Sequence, residues 1–476
     1  MYVVALPVQL HQHGRKVGAD LGEDKPETLN SFAVEAAATV FGHEDQMDMH
    51  CKDAVSAVSN ILVFVHRPDY NATMERRQAF QFELMPNADQ RRQMSRFAGC
   101  ARYVYNKALA LKKELYEKKE KASRFQLDKM LVPWKQEAPW LSEAPAHALQ
   151  QAILDLDRAY QNFFKKRAAF PKFHKKGLRD SFRESDPKCI KVEQANSRIR
   201  LPKIGWVRYR NSREVLGAVR SVTVSQSAGK WFVSISTLRE VEQPQHPSTS
   251  AVGLDWGIAS FVTMSNGEVI EQLQPLKKFL PRLAKLQRRM ARKKKFSNNW
   301  KKAKRRVTRL HSKIANIRKD FVHQSSKAIS KNHAVVFVED LPVQNMSASS
   351  KGTKAKPGNR VIQKSGLNRA ILDASPFELR RQLEYKTQWS GGLLVAVPPQ
   401  NTSRKCPECQ HTAAENRKRQ AKFVCVECGF SANADYVGAV NIKEAGLALL
   451  ACSEPSPEAR ASWQEPTEAT RVQACA

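Results

Sequence analysis

No stretch of about 18 apolar residues occurs in the 476-residue sequence, so nothing in it spans a bilayer as a helix. The opening segment, residues 6–14, is too polar and too short for a secretory signal. A disulfide framework is missing as well. Of nine cysteines, four share one local cluster, while Cys51, Cys100, Cys189, Cys452 and Cys475 have no paired spacing. That usage fits a reducing cytoplasm. Acid is the scarcest element where it would matter most. From Lys277 to Lys319 there is none, although Lys and Arg recur throughout. A solvated helix face ordinarily mixes signs, so this uniform stretch is read as a cationic surface for a polyanion.

What is present agrees with that reading. The formal charge is +33 and the isoelectric point near 9.9, a balance whose commonest partner is nucleic acid. A basic membrane-surface protein is the alternative. The charge is uneven. Residues 1–73 hold 10 acids against 5 bases with no clear period, and read as a loosely ordered extension or a mis-called start. At Met74 the texture changes to a strand (Ala79–Met85), a Pro-Asn helix start and a basic amphipathic helix. Residues 88–168 are helical by pattern. Residues 169–240 return to short alternating runs, with a hairpin over 221–236. Together with 74–87 they suggest a small β-barrel split by a helical insert. Residues 241–250 read as a linker and 450–476 as a disordered tail.

From residue 251 strands alternate with helices, the signature of an α/β layer fold. Within it, Leu280, Leu283, Leu286 and Met290, then Val307, Leu310, Ile314 and Ile317, follow helical spacing. This predicts a helical hairpin over 276–320, with Lys293, Lys294, Lys295, Lys301, Lys302, Arg305 and Arg306 on its free face as phosphate contacts. Lys175 and Lys176 add to that set. Phe173, Trp206 and Tyr209 are candidates for base stacking, with core packing as the competing role. The Gly/Lys/Ser-rich stretch 347–368 reads as a mobile loop, either a lid or an inert linker.

Two constellations carry chemistry. Cys406-Pro-Glu-Cys409 and Cys425-Val-Glu-Cys428 aim four thiolates at one point, the closed cage of a structural zinc; residues 403–431 are read as a zinc ribbon. The second is a set of acids. Asp255 interrupts a buried-looking strand, Glu339 ends another, and Asp435 begins a helix. Burying unpaired carboxylates costs several kcal/mol each unless a cation compensates. Three converging acids suit Mg²⁺ and phosphodiester hydrolysis. Asp340, one residue out of phase, is expected to face away.

Together GLDWG, VFVEDL, VPPQNTSRKCPECQ, CVECGF and NADYVGAVNI resemble the transposon-encoded TnpB (OrfB) family, relatives of compact type V CRISPR effectors. The resemblance runs from about Met74 to Ala448. It implies a multidomain α+β protein: a wedge β-barrel (74–87, 169–240) split by a helical recognition insert (88–168), then a RuvC (RNase H-like) α/β nuclease domain (251–402, 432–449) interrupted by the zinc ribbon. It further implies an RNA-guided DNA endonuclease of an insertion sequence, with a guide RNA from its own locus and a double-stranded DNA target. By position Asp255, Glu339 and Asp435 match the family's nuclease acids, and the four cysteines its zinc ligands. Asn433 and Val437 depart from the common pattern. The alternatives are a binding regulator without cleavage and an accessory transposase protein. No His-hydrophobe-His pair supports a transposase of the tyrosine type, since His11-Gln12-His13 has a polar centre. A prokaryotic cytoplasmic location on DNA is expected, with no membrane partner; monomer or dimer is left open.

Overall fold

The computed structural model describes residues 73–178, 180–353 and 355–452. One compact unit spans residues 68–446; of a second, the described residues are 447–452. Expectations for 1–72 and for 453–476 lie outside the described residues. At the margins, Thr73 already belongs to a strand and residues 450–452 to a helix, not to a tail.

Strand β1 (Thr73–Met85) alternates exposed and inward residues, with Phe80, Phe82 and Leu84 buried. It pairs antiparallel with β7 (Lys230–Glu242) from Thr73↔Glu242 to Leu84↔Trp231, and its end pairs with β5 (Gly205–Tyr209). With β2 (Ser181–Glu184), β3 (Lys191–Glu193), β4 (Arg198–Leu201) and β6 (Ala218–Ser227) they form a seven-stranded antiparallel sheet, ordered β2-β6-β7-β1-β5-β4-β3. Its edge strands β2 and β3 are not paired with each other.

Between β1 and β2 the chain makes α1 (Ala88–Glu117), α2 (Arg124–Lys129), α3 (Leu131–Glu137) and α4 (Ala146–Phe164). Asn87 opens α1 with a reciprocal cap. Its side chain accepts from Gln90 N at 2.8 Å, and Gln90 Oε1 accepts from Asn87 N at 3.1 Å. Sheet and insert share one apolar core, with Phe97 of α1 edge-on to Phe182 of β2 at 5.7 Å.

A second sheet comprises β8 (Ala251–Trp256), β9 (Ser260–Met264), β10 (Val269–Glu271), β11 (Val335–Glu339) and β12 (Leu393–Val397), in the order β10-β9-β8-β11-β12. β8, β11 and β12 run parallel, while β9 and β10 are antiparallel. Its central parallel strand, β11, is a continuous buried apolar run, Val335–Val338, because both of its faces are covered. Between β10 and β11 stand α5 (Pro275–Ala291) and the 35-residue α6 (Asn298–Asn332), a hairpin packed through Leu283, Val307, Leu310 and Ile314. After β11 come α7 (Val343–Met346), α8 (Val361–Ala374) and α9 (Pro376–Trp389). The cysteine segment follows β12 with the small strands β13 (Lys422–Val424) and β14 (Ser431–Asn433), then α10 (Ala434–Cys452).

Three expectations need correction. The last eight residues of the predicted loop 347–368 are the start of α8, whose pattern is weak because only Ile371, Asp373 and Ala374 near its end are buried. The polar segment 241–250 is no free linker. His246 is buried, with Nε2 3.0 Å from Ser330 O of α6 and Nδ1 3.0 Å from Ser248 O, a satisfied polar network that composition conceals. Core packing holds for Tyr209 alone. Phe173 and Trp206 are exposed, with Lys113 over the first ring and Arg198 over the second.

Candidate active site

Sheet register brings the first two acids together. β8 and β11 are adjacent and parallel with Leu254 opposite Val338, so the next residues on each strand, Asp255 and Glu339, share a face. The third arrives on α10, which lies almost against β8. A Cβ on Gly253 would overlap the carbonyl of Ala439, and a Cβ on Gly438 would stand 2.9 Å from Asp255 Oδ2. These glycines permit a close helix-strand approach that puts Asp435, in the first turn of α10, within electrostatic reach of Asp255. Asn433 prepares that turn, since its Oδ1 accepts from Asp435 N at 2.9 Å and Tyr436 N at 3.3 Å. The departure at Asn433 thus supplies a helix cap.

Electrostatics mark the spot. Burial, and then the negative charges of Glu339 and Asp435, push the Asp255 carboxyl up to about 8, while Arg417 opposes the rise. Burial also raises Glu339; the Thr402 hydroxyl, donating to Glu339 Oε1 at 2.6 Å, and Arg417 pull it back. Three carboxylates in a partly desolvated pocket face a single guanidinium. Such a deficit of positive charge fits a bound cation. Asp340 points elsewhere and pairs with Arg380 on the surface.

Cys406, Cys409, Cys425 and Cys428 converge, with Sγ–Sγ separations of 3.6 Å (Cys406–Cys428) and 3.5 Å (Cys409–Cys425). A tetrahedron with metal–sulfur bonds of about 2.3 Å has edges of about 3.8 Å, so the cage has nearly the dimensions zinc requires. Buried Asn416 organises the turn around it, donating to Arg404 O and His411 O and accepting from Val426 N. Asn441 of α10 donates to Thr402 O and Lys405 O, tying the segment's entry to the helix that bears Asp435.

Comparison with known proteins bears on this geometry. The family model of the IS605 OrfB proteins, described as a probable transposase, matches residues 234–350. The chain is 53% identical over 398 residues to "Putative RNA-guided DNA endonuclease InsQ" of Escherichia coli K12, covering 83% of this chain and 98% of that protein. The chain belongs to the IS605 OrfB (TnpB) family. A Streptomyces pristinaespiralis protein, also described as an RNA-guided DNA endonuclease, is 35% identical over 410 residues, covering 83% of this chain and 97% of its own. A Cas12f1-like TNB domain model matches residues 377–442. A helix-turn-helix model matches 74–121, where the structure has β1 running into α1, a single 30-residue helix. Among solved structures, a Cas12f1–sgRNA–target DNA complex aligns with a TM-score of 0.50 at 12% identity, covering 78% of this chain and 99% of that one. That likeness is one of mixed α/β fold.

The OrfB match contains Asp255 and Glu339, and the TNB match contains the cysteines and Asp435. Lys175, Lys176, Lys293, Lys294, Lys295, Lys301, Lys302, Arg305 and Arg306 are all exposed, and none is in an ion pair among the described residues. The seven on the hairpin occupy the turn after α5 (Lys293, Lys294, Lys295) and the first turns of α6 (Lys301, Lys302, Arg305, Arg306).

Two residues of the site escape sequence reasoning. Arg417, from the basic loop between the cysteine pairs, turns inward and donates to Asp435 Oδ1 at 3.1 Å. Thr402 holds Glu339. Neither has a distinctive spacing, and in sequence Arg417 looks like one base among several in the loop between the cysteine pairs.

Proposed function

We propose that the protein is an RNA-guided DNA endonuclease of an insertion sequence, cutting guide-matched duplex DNA at Asp255, Glu339 and Asp435. The observation that carries this reading is the raised carboxyl of Asp255 beside Glu339 and Asp435, a desolvated acid cluster with one base to balance it. Family membership, and the description of the Escherichia coli and Streptomyces relatives as RNA-guided DNA endonucleases, support the reaction class.

On this reading β1 to β7 form the wedge, α1 to α4 the recognition insert, and the second sheet with α10 a RuvC-like nuclease interrupted by the zinc ribbon. The three carboxylates would hold Mg²⁺, which suits hard oxygen ligands. Bound there, it supplies Lewis acidity toward phosphate and an acidified water. Asp255 and Glu339 hold fixed positions on neighbouring strands, with Thr402 setting the Glu339 carboxylate. Arg417 neutralises part of Asp435 and presents a planar donor suited to phosphate. The four thiolates would hold zinc with no open position, so its role is structural. The exposed bases of the α5–α6 turn and Lys175–Lys176 grip sugar-phosphate backbone, while guide pairing chooses the sequence. Acting on DNA in the cytoplasm, the enzyme would favour retention of its element by breaking the copy that lost it.

The decisive experiment loads purified protein with RNA transcribed from its own locus, then adds Mg²⁺ and a guide-matched duplex library randomised beside the target. Guide-dependent cuts are expected in wild type and absent in Asp255→Ala, with RNA and DNA binding retained. Binding without cuts in wild type would make the protein a regulator.

A further inference from the structure

A second group of metal-ligating side chains lies away from both constellations, where the helical insert meets the first sheet. His147 is the second residue of α4. Asp186 caps a single 3₁₀ turn, Pro187–Cys189, in the connection from β2 to β3, and its Oδ1 accepts from Lys188 N at 3.0 Å. Residues three apart on such a turn nearly eclipse one another. The turn therefore puts Asp186 and Cys189 on one side, with Cys189 Sγ donating to Asp186 Oδ2 at 3.2 Å. One ligand atom each of His147, Asp186 and Cys189 falls within 4.8 Å of the other two.

The support beneath them is equally specific. Glu184 is 3% exposed, and its Oε1 accepts from Ser185 N at 3.0 Å and from Asp186 N at 3.1 Å. The same oxygen lies 2.8 Å from His147 Nδ1. A buried carboxylate on Nδ1 fixes the ring and its tautomer and leaves Nε2 for a ligand, the arrangement that commonly backs a metal-bound histidine. Imidazole, carboxylate and thiolate together suit zinc among the common divalent ions.

We propose that His147, Asp186 and Cys189 bind a zinc ion, oriented by Glu184, which clips the N-terminus of α4 to the β2–β3 connection. A tetrahedral site with bonds of about 2.0–2.3 Å has ligand separations of about 3.3–3.8 Å. The present separations of up to 4.8 Å close by small adjustments of the exposed 3₁₀ turn that carries Cys189, with the His147 ring held by Glu184. Binding displaces the thiol proton now directed at Asp186 to solvent. The clip joins two points of chain 39 residues apart. It rests on none of the nuclease reading.

The test counts zinc in the full-length protein, equilibrated with excess ZnCl₂ and freed of unbound ion, by plasma mass spectrometry. Two equivalents per chain are expected in wild type, and one in His147→Ala and in Cys189→Ser, with the four-cysteine cage still filled. Glu184→Gln should keep the second equivalent but bind it about 10- to 100-fold more weakly. Titration of one-equivalent wild-type protein with Co²⁺ needs no variant, and a thiolate-to-cobalt absorption with the intensity of a single sulfur is expected. One equivalent in wild type with no such absorption overturns the clip. So does retention of two equivalents in both His147→Ala and Cys189→Ser.

Discussion

The two sheets spend their buried residues differently. In the seven-stranded sheet, inward positions of β1 and β7 are almost all apolar: Phe80, Phe82 and Leu84 face Trp231, Val233 and Ile235, and the core continues into α1 and α4. The five-stranded sheet has a smaller apolar core and carries polar groups beside it. Ser326 of α6 donates to Gln382 of α9, and Lys386 donates to both Ser326 and His323 O. Burial holds Lys386 down at about 8 while it holds Asp255 up at about 8. A lone buried charge costs several kcal/mol, so the second sheet gives up stability to keep ionisable groups in place. The lesson is a division of labour: the β1–β7 ladder is built for packing, the five-stranded sheet for charge.

That contrast can be broken at either end. The largest effect is expected at Phe82, where Phe82→Ala removes a fully packed ring and should cost about 3–5 kcal/mol in denaturant unfolding. Activity per folded molecule should stay unchanged. A loss of cleavage at unchanged stability would erase the distinction between the regions.

An effect of opposite sign, which grows with pH, is expected at Asp255. Its carboxyl sits near 8 in the folded chain and at about 3.9 when unfolded. Between those values the folded state holds a proton that the unfolded state has lost, so stability falls as pH rises through about 4 to 8. Asp255→Asn removes that loss. In magnesium-free buffer it should melt above wild type at pH 8, with the gap narrowing toward pH 4, and thermal melts at several pH values check this. Added Mg²⁺ should raise the wild-type melting temperature at pH 8 and leave the variant unmoved.

The smallest effect belongs to the surface. Lys301→Ala with Lys302→Ala removes two exposed charges with no partner to strand, so folding should be unaffected. Nucleic-acid affinity should fall, and the slope of log affinity against log salt should flatten by about 2. An unchanged slope would place the bound backbone elsewhere.

The predicted elements that were easiest to read are those with long, regular patterns. The apolar spacing over 280–317 marks α5 and α6, and the apolar runs ending at Asp255 and Glu339 mark β8 and β11. α8 was illegible because most of its apolar residues, including Ile362 and Leu372, face outward, leaving no stripe for periodicity to find. His246 hid in a segment rich in proline, serine and threonine, since a buried histidine is recognisable by its partners and not by its neighbours in sequence.

By itself the sequence determined the ligands whose geometry is local. Each Cys-x-x-Cys turn brings its two thiols together through a few covalent bonds, so spacing alone announced the cage. The acids too were visible one by one, as charges in otherwise apolar strands. Their meeting was decided by the fold. Parallel register aligns Asp255 with Glu339, and two glycines let α10 come close enough to add Asp435. Tertiary structure alone turned Arg417 toward Asp435 and set His147 beside Asp186 and Cys189. Contacts of this kind join residues far apart in sequence. They arise from packing a helix onto a sheet, which no local spacing encodes.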